Sequence, residues 1–310
     1  MGRFDHLATQ PARGPADMIR WKVVDALAGK NRKDPGGFTT PRRDPDRALV
    51  EGAGPQLTWI GHASFLLTLG GRRILVDPVF SQRLGTIRRL APPGLTPDTL
   101  PPVDLVLITH NHRDHLDPRS LALLGRAPTY VVPAGDAGLL RKIGAEKVIE
   151  LEWWKSTTIG GVEITFVPSR HWSMHYPWDR NESLWGGYVI QSSHGTAYHS
   201  GDTAFFDGFA EIGRRLGAID WAMLPIGSYE PRWFMEPQHM GPEEAVEAFR
   251  LLDARRLVSM HWGTFRLTDE PIGEPPERAR AAFAKVARDD RDLWVLDVGE
   301  SRALGPGRVV

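Results

Sequence analysis

Four side chains that can bind a metal ion lie within one run of six residues, His110-Asn111-His112-Arg113-Asp114-His115. The run follows the apolar stretch 106–109, which predicts a buried strand that ends at the first histidine. Imidazole and carboxylate groups at this density are costly to fold unless something uses their lone pairs, and zinc-type ions take both kinds of ligand. The run therefore predicts part of a metal site.

Three further candidate ligands each stand just past the end of another apolar stretch: His171, Asp202 and His261. The strands of an α/β sheet point several loops at one place, so ligand sites form at their carboxyl ends. We therefore expect these three side chains to meet the run at residues 110–115.

The number of candidate ligands fits two metal ions. The expected division is His110, His112 and His171 on one ion, Asp114, His115 and His261 on the other, and Asp202 between them. Two ions about 3.5–4 Å apart lower the pKa of a shared water and stabilise the oxygens of a phosphoryl displacement. The pattern therefore predicts a hydrolase.

Composition excludes several other classes. The chain has 310 residues, no cysteine, and 38 basic residues balanced by 38 acidic ones. Disulfides and thiolate zinc sites are excluded, and the balanced charge without a basic stripe argues against a nucleic-acid partner. No apolar run approaches the roughly 20 residues that span a bilayer, and no signal peptide is seen. We expect a cytoplasmic protein, and a peripheral position on a membrane surface stays open because it needs no spanning segment.

The apolar patterning predicts an α/β chain in which short strands and helices follow one another after residue 57. Two hairpins are expected, turning at Gly70-Gly71 and at His194-Gly195. The predicted strands are 57–60, 64–69, 73–77, 104–109, 129–133, 162–167, 187–192, 196–200, 221–226, 256–260 and 293–298. The predicted helices are 117–124, 136–143, 205–216, 242–253 and 276–287.

Residues 1–55 differ in composition from the remainder, being rich in Pro, Gly, Arg and Asp. They are predicted to form an N-terminal extension that packs on a main domain of residues 56–310. One helix is predicted at 15–28, with apolar residues on a single stripe. This helix either docks on the main domain or lies at a membrane interface, although Asp17 and Asp25 dilute its basic face.

Several longer motifs resemble one family in detail. The metal-binding pattern with His171, Gly201-Asp202-Thr203 and His261 looks like the metallo-β-lactamase superfamily. Within it, the chain is similar to the N-acylphosphatidylethanolamine-hydrolysing phospholipase D branch over about residues 57–276. The matching runs are TWIGHAS at 58–64, VDPVF at 76–80, PIGSYEPRWFM at 225–235, QH at 238–239, PEEA at 242–245 and HWGTF at 261–265.

The resemblance implies an αββα sandwich of two mixed sheets flanked by helices. It also implies two zinc ions, although nitrogen and oxygen ligands suit iron or manganese as well. The implied reaction is hydrolysis of an N-acylated phospholipid to an N-acylethanolamine and a phosphatidic acid. The family's ligand roles carry over onto the seven candidate ligands given above.

Further roles are implied by the same resemblance. Asp114 and His239 are the expected catalytic residues, Asp114 as a ligand and His239 as a contact to a phosphoryl oxygen or a proton donor to the departing alkoxide. A histidine that merely starts the following helix is the alternative for His239. Asp77 and His62 are expected beside the ligands, with Asp77 orienting a ligand histidine. For His62 a purely structural place in the core is an equal alternative.

The substrate contacts are less well defined, because the segment 81–96 is shorter than in mammalian members of the family. Arg88 and Arg89 with nearby apolar residues would suit an anionic lipid head group, and an ordinary solvated loop is the alternative. Trp172 and Trp178 are expected at an acyl pocket, with core packing as the alternative for at least one tryptophan of this segment.

Three other functions compete with the lipid phosphodiesterase. The first is a lactonase or small-molecule phosphodiesterase with the same fold and centre. The second is a nuclease of the superfamily, which the charge balance disfavours. The third is a non-catalytic binding module, which the full ligand set disfavours.

Overall fold

Two large sheets carry the architecture. The computed structural model describes residues 2–11, 13–32, 34–286, 289 and 292–307. The strands are β1 (Gln56–Gly61), β2 (Ser64–Leu69), β3 (Arg72–Val76), β4 (Arg83–Leu84), β5 (Ile87–Arg88), β6 (Leu105–Leu107), β7 (Thr129–Pro133), β8 (Lys147–Leu151), β9 (Ser156–Ile159), β10 (Val162–Val167), β11 (Gly187–Ser192), β12 (Gly195–His199), β13 (Trp221–Pro225), β14 (Arg256–Met260), β15 (Leu293–Trp294) and β16 (Ser301–Ala303). The α-helices are α1 (Pro15–Ile19), α2 (Arg47–Glu51), α3 (Pro118–Leu124), α4 (Ala137–Lys142), α5 (Gly208–Leu216), α6 (Arg232–Met235), α7 (Pro242–Leu251) and α8 (Glu274–Phe283).

Each large sheet has an antiparallel half and a parallel half. The first sheet runs β16-β1-β2-β3-β6-β7-β8 and becomes parallel from the β3–β6 pair onward. The second runs β15-β14-β13-β12-β11-β10-β9 and is parallel from β12 to β15. The parallel strands send their carboxyl ends toward a common edge, which is where loops can form a site.

Successive side chains of a strand point to opposite faces of its sheet, so alternate residues belong to two different hydrophobic cores. In β6, Leu105 and Leu107 belong to the core between the sheets, whereas Val106 faces the core under α3 and α4. Helix residues on the far side of the second sheet, such as Phe249 of α7, complete the central core. Apolar residues on both sides of each strand explain why the runs are continuous rather than alternating. The expected αββα sandwich with two mixed sheets is confirmed.

Most predicted elements are present, with shifted ends. The Gly70-Gly71 turn joins β2 to β3, and both glycines have positive φ, at 58° and 72°. Such a two-residue turn needs this conformation, which only glycine adopts without strain. The second hairpin turns one residue earlier than predicted, because Gly195 already pairs with Ser192.

Several predicted elements are shorter than expected, three of them at sites that bear on the fold. The strand predicted at 104–109 narrows to β6, since the backbone N–H of Thr109 donates to the Asp77 side chain. The strand predicted at 293–298 shortens to β15, although Val298 still forms an isolated bridge with Arg42. Helix α8 ends at Phe283 and continues as a 3-10 turn to Val286; the predicted last residue, 287, lies outside the described residues.

The helix near the amino terminus contacts the main body through Trp21, Arg20 and Lys22, with Arg20 over the Trp233 ring and Lys22 near Asp269. Helix α1 continues as a π-helical segment, Arg20–Asp25. Trp21 is buried against Phe234 and Met235, and its Nε1 donates to Asp269 at 2.5 Å. The opposite side of this helix is apolar but exposed. None of the described helices has the length and apolar composition required to cross a bilayer.

Candidate metal centre

The candidate ligands come from loops of both sheets. The run 110–115 lies just beyond β6 in the first sheet, whereas His171, Asp202 and His261 lie beyond β10, β12 and β14 in the second. The two sheets are packed face to face, so these loops converge on one edge of the sandwich. All seven expected ligands therefore meet in one place, and all but two of them are buried.

The local backbone at this edge adopts conformations that most residues avoid. His62, Asp77 and His261 have φ values of 57°, 43° and 61°. Gly201, with φ at 60°, precedes Asp202, and a Cβ there would lie 2.5 Å from the Gly186 carbonyl oxygen and 2.9 Å from the Thr109 side chain. Position 201 therefore requires glycine for two reasons, its φ and its lack of space.

The first ligand cluster contains His110, His112, His171 and Asp202. Nδ1 of His112 lies 2.9 Å from Nε2 of His110 and 3.2 Å from Nε2 of His171. Oδ2 of Asp202 is 3.9 Å from Nε2 of both His110 and His171. One ion among these atoms would have three imidazole ligands and a carboxylate, a set typical of zinc and related metals.

The second ligand cluster contains Asp114, His115 and His261, with His62 beside them. Nε2 of His115 and Nε2 of His261 each lie 3.1 Å from Oδ2 of Asp202. Oδ2 of Asp114 is 3.7 Å from Nε2 of His261 and 3.0 Å from Nε2 of His62. Asp202 therefore faces both clusters, in the position expected of a shared ligand.

Buried polar atoms of the centre lack hydrogen-bond partners among the described residues. Those nearest the shared carboxylate are Nε2 of His115, Nε2 of His261 and Oδ1 of Asp202 itself, and Nε2 of His112 is another. The two nitrogens lie near the Asp202 carboxylate, yet the angles do not fit hydrogen bonds. Orphaned buried groups of this kind are costly, and coordination to a metal ion would satisfy them. The donor set therefore fits metal ions.

Hydrogen bonds from outside the clusters fix the ring orientations of three histidines. Nδ1 of His115 donates to Oδ2 of Asp77 at 2.7 Å, and Nδ1 of His171 donates to the Gln238 carbonyl oxygen at 2.8 Å. Nδ1 of His110 lies 3.0 Å from the Thr109 hydroxyl. These partners hold Nε2 of each ring toward the centre, which is how ligand histidines are usually oriented.

The charge states of the imidazoles fall into two groups. Burial lowers the pKa of His112 to about 3 and that of His171 to about 4, and with the neighbouring imidazoles it holds the pKa of His110 well below its usual value. These rings are neutral, the form that binds a metal.

In the other two imidazoles burial lowers the pKa, but neighbouring carboxylates outweigh it and raise the pKa. Burial opposes the charge on His261, yet Asp202 and Asp114 raise the pKa of His261 to about 9. Asp202 and Asp77 likewise raise the pKa of His115 well above its usual value. The buried carboxylates therefore draw positive charge into the centre, and either protons or metal ions can supply it.

His239 lies beside the second ligand cluster and forms, with Asp202 and His261, a third group of side chains close enough to hold a metal ion. Its Nε2 is 4.0 Å from Oδ2 of Asp202, its ring packs edge-on against His171, and its Nδ1 is buried without a partner. Burial holds the pKa of His239 well below its usual value. A neutral imidazole here can contact a bound substrate, because the same side chain lines the adjoining cavity.

An apolar cavity of about 680 Å3 opens onto both clusters. Its polar end is formed by His112, Asp114, Asp202, His239 and His261. Its apolar walls are formed by Met18, Trp21, Trp172, Met174, Phe234, Met235 and Leu267. A cavity of this size holds a small-molecule ligand or one end of a larger one.

Three residues expected to touch substrate lie elsewhere. Trp178 is 78% exposed and stacks on Tyr176, and it does not line the cavity; Trp172, in contrast, does. Arg88 is exposed in β5, away from the cavity. Arg89 is buried, and its guanidinium donates to the carbonyl oxygens of Ser81 and Val79. Arg89 is therefore held by the loop it supports and is not free to bind a head group.

Sequence reasoning missed the part that the amino-terminal helix plays in this cavity. Met18 and Trp21 line it together with Trp172. Gln238 was quoted only within a matching run and was given no role: its side-chain oxygen accepts from Trp172 Nε1 at 2.6 Å while its carbonyl orients His171. The apolar stripe of the predicted helix did not indicate this wall, because its residues Ile19, Val23 and Leu27 are exposed.

Comparison with known proteins agrees with this arrangement. The chain matches the family described as beta-lactamase superfamily domain over residues 72–262. It is 38% identical over 283 residues to an uncharacterized protein of Mycobacterium tuberculosis, covering 86% of this chain and 73% of that one. It is 35% identical over 263 residues to N-acyl-phosphatidylethanolamine-hydrolyzing phospholipase D 1 of Caenorhabditis elegans, covering 78% and 74%.

A solved structure shows the same fold. The crystal structure of a possible metal-dependent hydrolase from Veillonella parvula superposes with a TM-score of 0.67 at 19% identity, covering 81% of this chain and 100% of that chain. The chain therefore belongs to the metallo-β-lactamase superfamily, as a metal-dependent hydrolase similar to the N-acyl-phosphatidylethanolamine-hydrolysing phospholipases D.

Proposed function

We propose that this protein is a phosphodiesterase of phospholipase D type with two metal ions, zinc by preference, acting on N-acylphosphatidylethanolamine-like lipids. The observation that carries the proposal is the apolar cavity, which ends at both ligand clusters. A phosphodiester with a long acyl chain needs both features, an apolar channel and a charged end. The named phospholipase D relative supports the same substrate class.

Different residues of the chain have different roles in this proposed reaction. His110, His112 and His171 would hold one ion and Asp114, His115 and His261 the other, with Asp202 facing both. Ions bound there would supply Lewis acidity, which lowers the pKa of water and stabilises charge that develops on phosphoryl oxygens. His239 contacts the phosphoryl group or delivers a proton to the departing alkoxide of the N-acylethanolamine. Hydrolysis then leaves a phosphatidic acid.

The same proposal includes binding of the protein to a membrane surface through its amino-terminal helix. Ile19, Val23, Val24 and Leu27 form what we call the apolar helix face, and Leu27 is 85% exposed. This face belongs to the helix whose Met18 and Trp21 line the cavity, so a bilayer resting on it would lie beside the cavity. Arg20 and Lys22 on the same helix add positive charge that suits phospholipid phosphates, although each already lies 3.9 Å from a carboxylate, that of Asp25 or Asp269.

A substrate panel tests the proposal. Purified protein is assayed on N-acylphosphatidylethanolamine in mixed micelles, on bis-p-nitrophenyl phosphate and on a sugar lactone. We expect turnover of the lipid with release of N-acylethanolamine and phosphatidic acid. Activity on the water-soluble substrates alone would contradict the lipid assignment and favour the lactonase or small-molecule phosphodiesterase.

A further inference from the structure

A second cavity lies on the other side of the loop that carries the candidate ligands. Its volume is about 380 Å3, and three arginines line it: Arg83, Arg113 and Arg119. Arg113 stands between His112 and Asp114 in the sequence, yet it lines this cavity while its two neighbours line the first. The second cavity is therefore separate from the candidate metal centre but shares a loop with it.

The three guanidinium groups have no carboxylate partner within 4.0 Å among the residues that the structure describes. Arg113 is instead positioned by a backbone carbonyl of another loop, since its Nε donates to the His175 carbonyl oxygen at 3.3 Å. Like charges around one cavity repel each other, and an anion between them would remove this repulsion. One guanidinium group can donate two parallel hydrogen bonds to two oxygens of the same phosphate.

The one carboxylate of this cavity is already engaged. Oδ2 of Asp117 accepts from the hydroxyls of Ser81 and Ser120, each at 2.5 Å, and Oδ1 accepts from the backbone N–H of Arg119 at 3.3 Å. Asp117 therefore fixes the loop and the start of α3, and it leaves an excess of positive charge in the cavity.

A buried histidine completes the lining. His175 is only 6% exposed, and its Nδ1 donates to the Asn111 carbonyl oxygen at 3.0 Å. Among the described residues its Nε2 has no hydrogen-bond partner, and His175 lines the cavity. An imidazole with a free nitrogen and three arginines without carboxylate partners on one cavity form a lining suited to an oxyanion rather than to an apolar ligand.

We infer that the cavity of Arg83, Arg113, Arg119 and His175 is a second anion site, for a phosphate-class oxyanion. The chemistry fits either the phosphomonoester head group of an anionic lipid or a free phosphate ion. The volume accommodates phosphate with an attached glycerol unit. This inference does not depend on the substrate of the metal centre.

Binding of inorganic phosphate to the metal-loaded protein tests the site. We compare the wild type with the double variant Arg83→Gln, Arg119→Gln by calorimetric titration at low ionic strength, where exposed charges are least screened. Both residues are exposed, so the variant should fold, and its melting temperature checks this. We expect the wild type to take up one more equivalent of phosphate than the double variant. Arg141→Gln, an exposed arginine on α4 outside this cavity, serves as the matched control.

A vesicle experiment separates the two sources of the anion. The same proteins are sedimented with phosphatidylcholine vesicles, with and without phosphatidic acid. If the double variant loses phosphate uptake and binds phosphatidic acid vesicles several-fold less well, the head group is a ligand of the site. If it loses phosphate uptake alone, the site serves the free anion. Equal phosphate uptake by wild type, double variant and control would overturn the inference, and none of these readings requires turnover.

Discussion

Oδ2 of Asp77 accepts a hydrogen bond from Nδ1 of His115 at 2.7 Å, and the same oxygen accepts from the Thr109 hydroxyl at 2.7 Å. Asp77 is fully buried and comes directly after β3, whereas His115 belongs to the loop after β6. One carboxylate therefore links two neighbouring strands of the first sheet and sets the ring of a candidate ligand.

Replacing Asp77 by Asn tests that link. The amide keeps the shape and tolerates the left-handed backbone at this position, but it loses the charge that holds Nδ1–H of His115. We expect roughly 10- to 100-fold weaker metal binding at the second ligand cluster, as is usual for partners of ligand histidines. Metal content after dialysis against a graded chelator measures this. Full retention of both ions would contradict the orienting role.

Asp202→Asn tests the shared position between the clusters. An amide has one oxygen acceptor and no charge, so it cannot serve two ions as a carboxylate does. We expect metal content to fall and hydrolysis to drop by more than the roughly 100-fold typical of an outer partner. Circular dichroism serves as the control for folding. An unchanged rate would show that Asp202 is not shared between two ions.

His239→Gln distinguishes the two roles proposed for His239. A proton donor matters for an alkoxide leaving group, and it matters little for p-nitrophenolate, which leaves without one. The low pKa of the His239 ring favours the contact role, so we expect similar losses on the lipid and on bis-p-nitrophenyl phosphate. A loss of about 100-fold or more on the lipid with a much smaller loss on bis-p-nitrophenyl phosphate would identify a proton donor instead.

Removal of metal should lower the thermal stability of the protein. The candidate ligands come from both sheets, so bound ions would link the two halves of the sandwich. When the concentration of free metal is 100 times the dissociation constant of a site, binding there adds about 2.7 kcal/mol to the free energy of unfolding. We expect chelation to lower the melting temperature by several degrees and zinc to restore it. Elemental analysis of the same samples should give two ions per chain, and one ion or none would contradict the two-metal proposal.

The apolar helix face can be tested without touching the centre. In a double variant, Val24→Glu with Leu27→Glu, we expect several-fold weaker binding to phospholipid vesicles and slower turnover of vesicle-bound lipid. Hydrolysis of bis-p-nitrophenyl phosphate should stay unchanged, because neither residue lines the cavity. Leu123→Glu is the matched control, since Leu123 is also exposed but lies on α3. Unchanged vesicle binding would remove this helix from the proposal.

The convergence of the seven candidate ligands was predictable because each follows an apolar strand. Strand ends of an α/β fold meet at one edge, so the position of His171 or His261 after its strand carries spatial information. The role of Asp77 could be anticipated only from family resemblance, since its contact with His115 joins residues 38 positions apart.

The walls of the cavity could not be predicted in this way. Trp172 and Trp178 have the same residue type in one short segment, yet one lines the cavity and the other is 78% exposed. Arg88 and Arg89 are adjacent, yet Arg88 is exposed and Arg89 is buried. The Arg89 side chain points inward, because it donates to carbonyl oxygens of its own loop. Such differences depend on long-range packing, which local composition does not encode.

The left-handed backbone at His62, Asp77 and His261 has a consequence for how this protein can change. Each such residue costs about 1–2 kcal/mol relative to an ordinary conformation. Natural selection for stability alone would favour glycine or asparagine at these positions. The chain instead keeps side chains that lower its free energy of unfolding. Descendants released from the need for the centre should therefore drift first at these three positions, and they should become more stable as they do so.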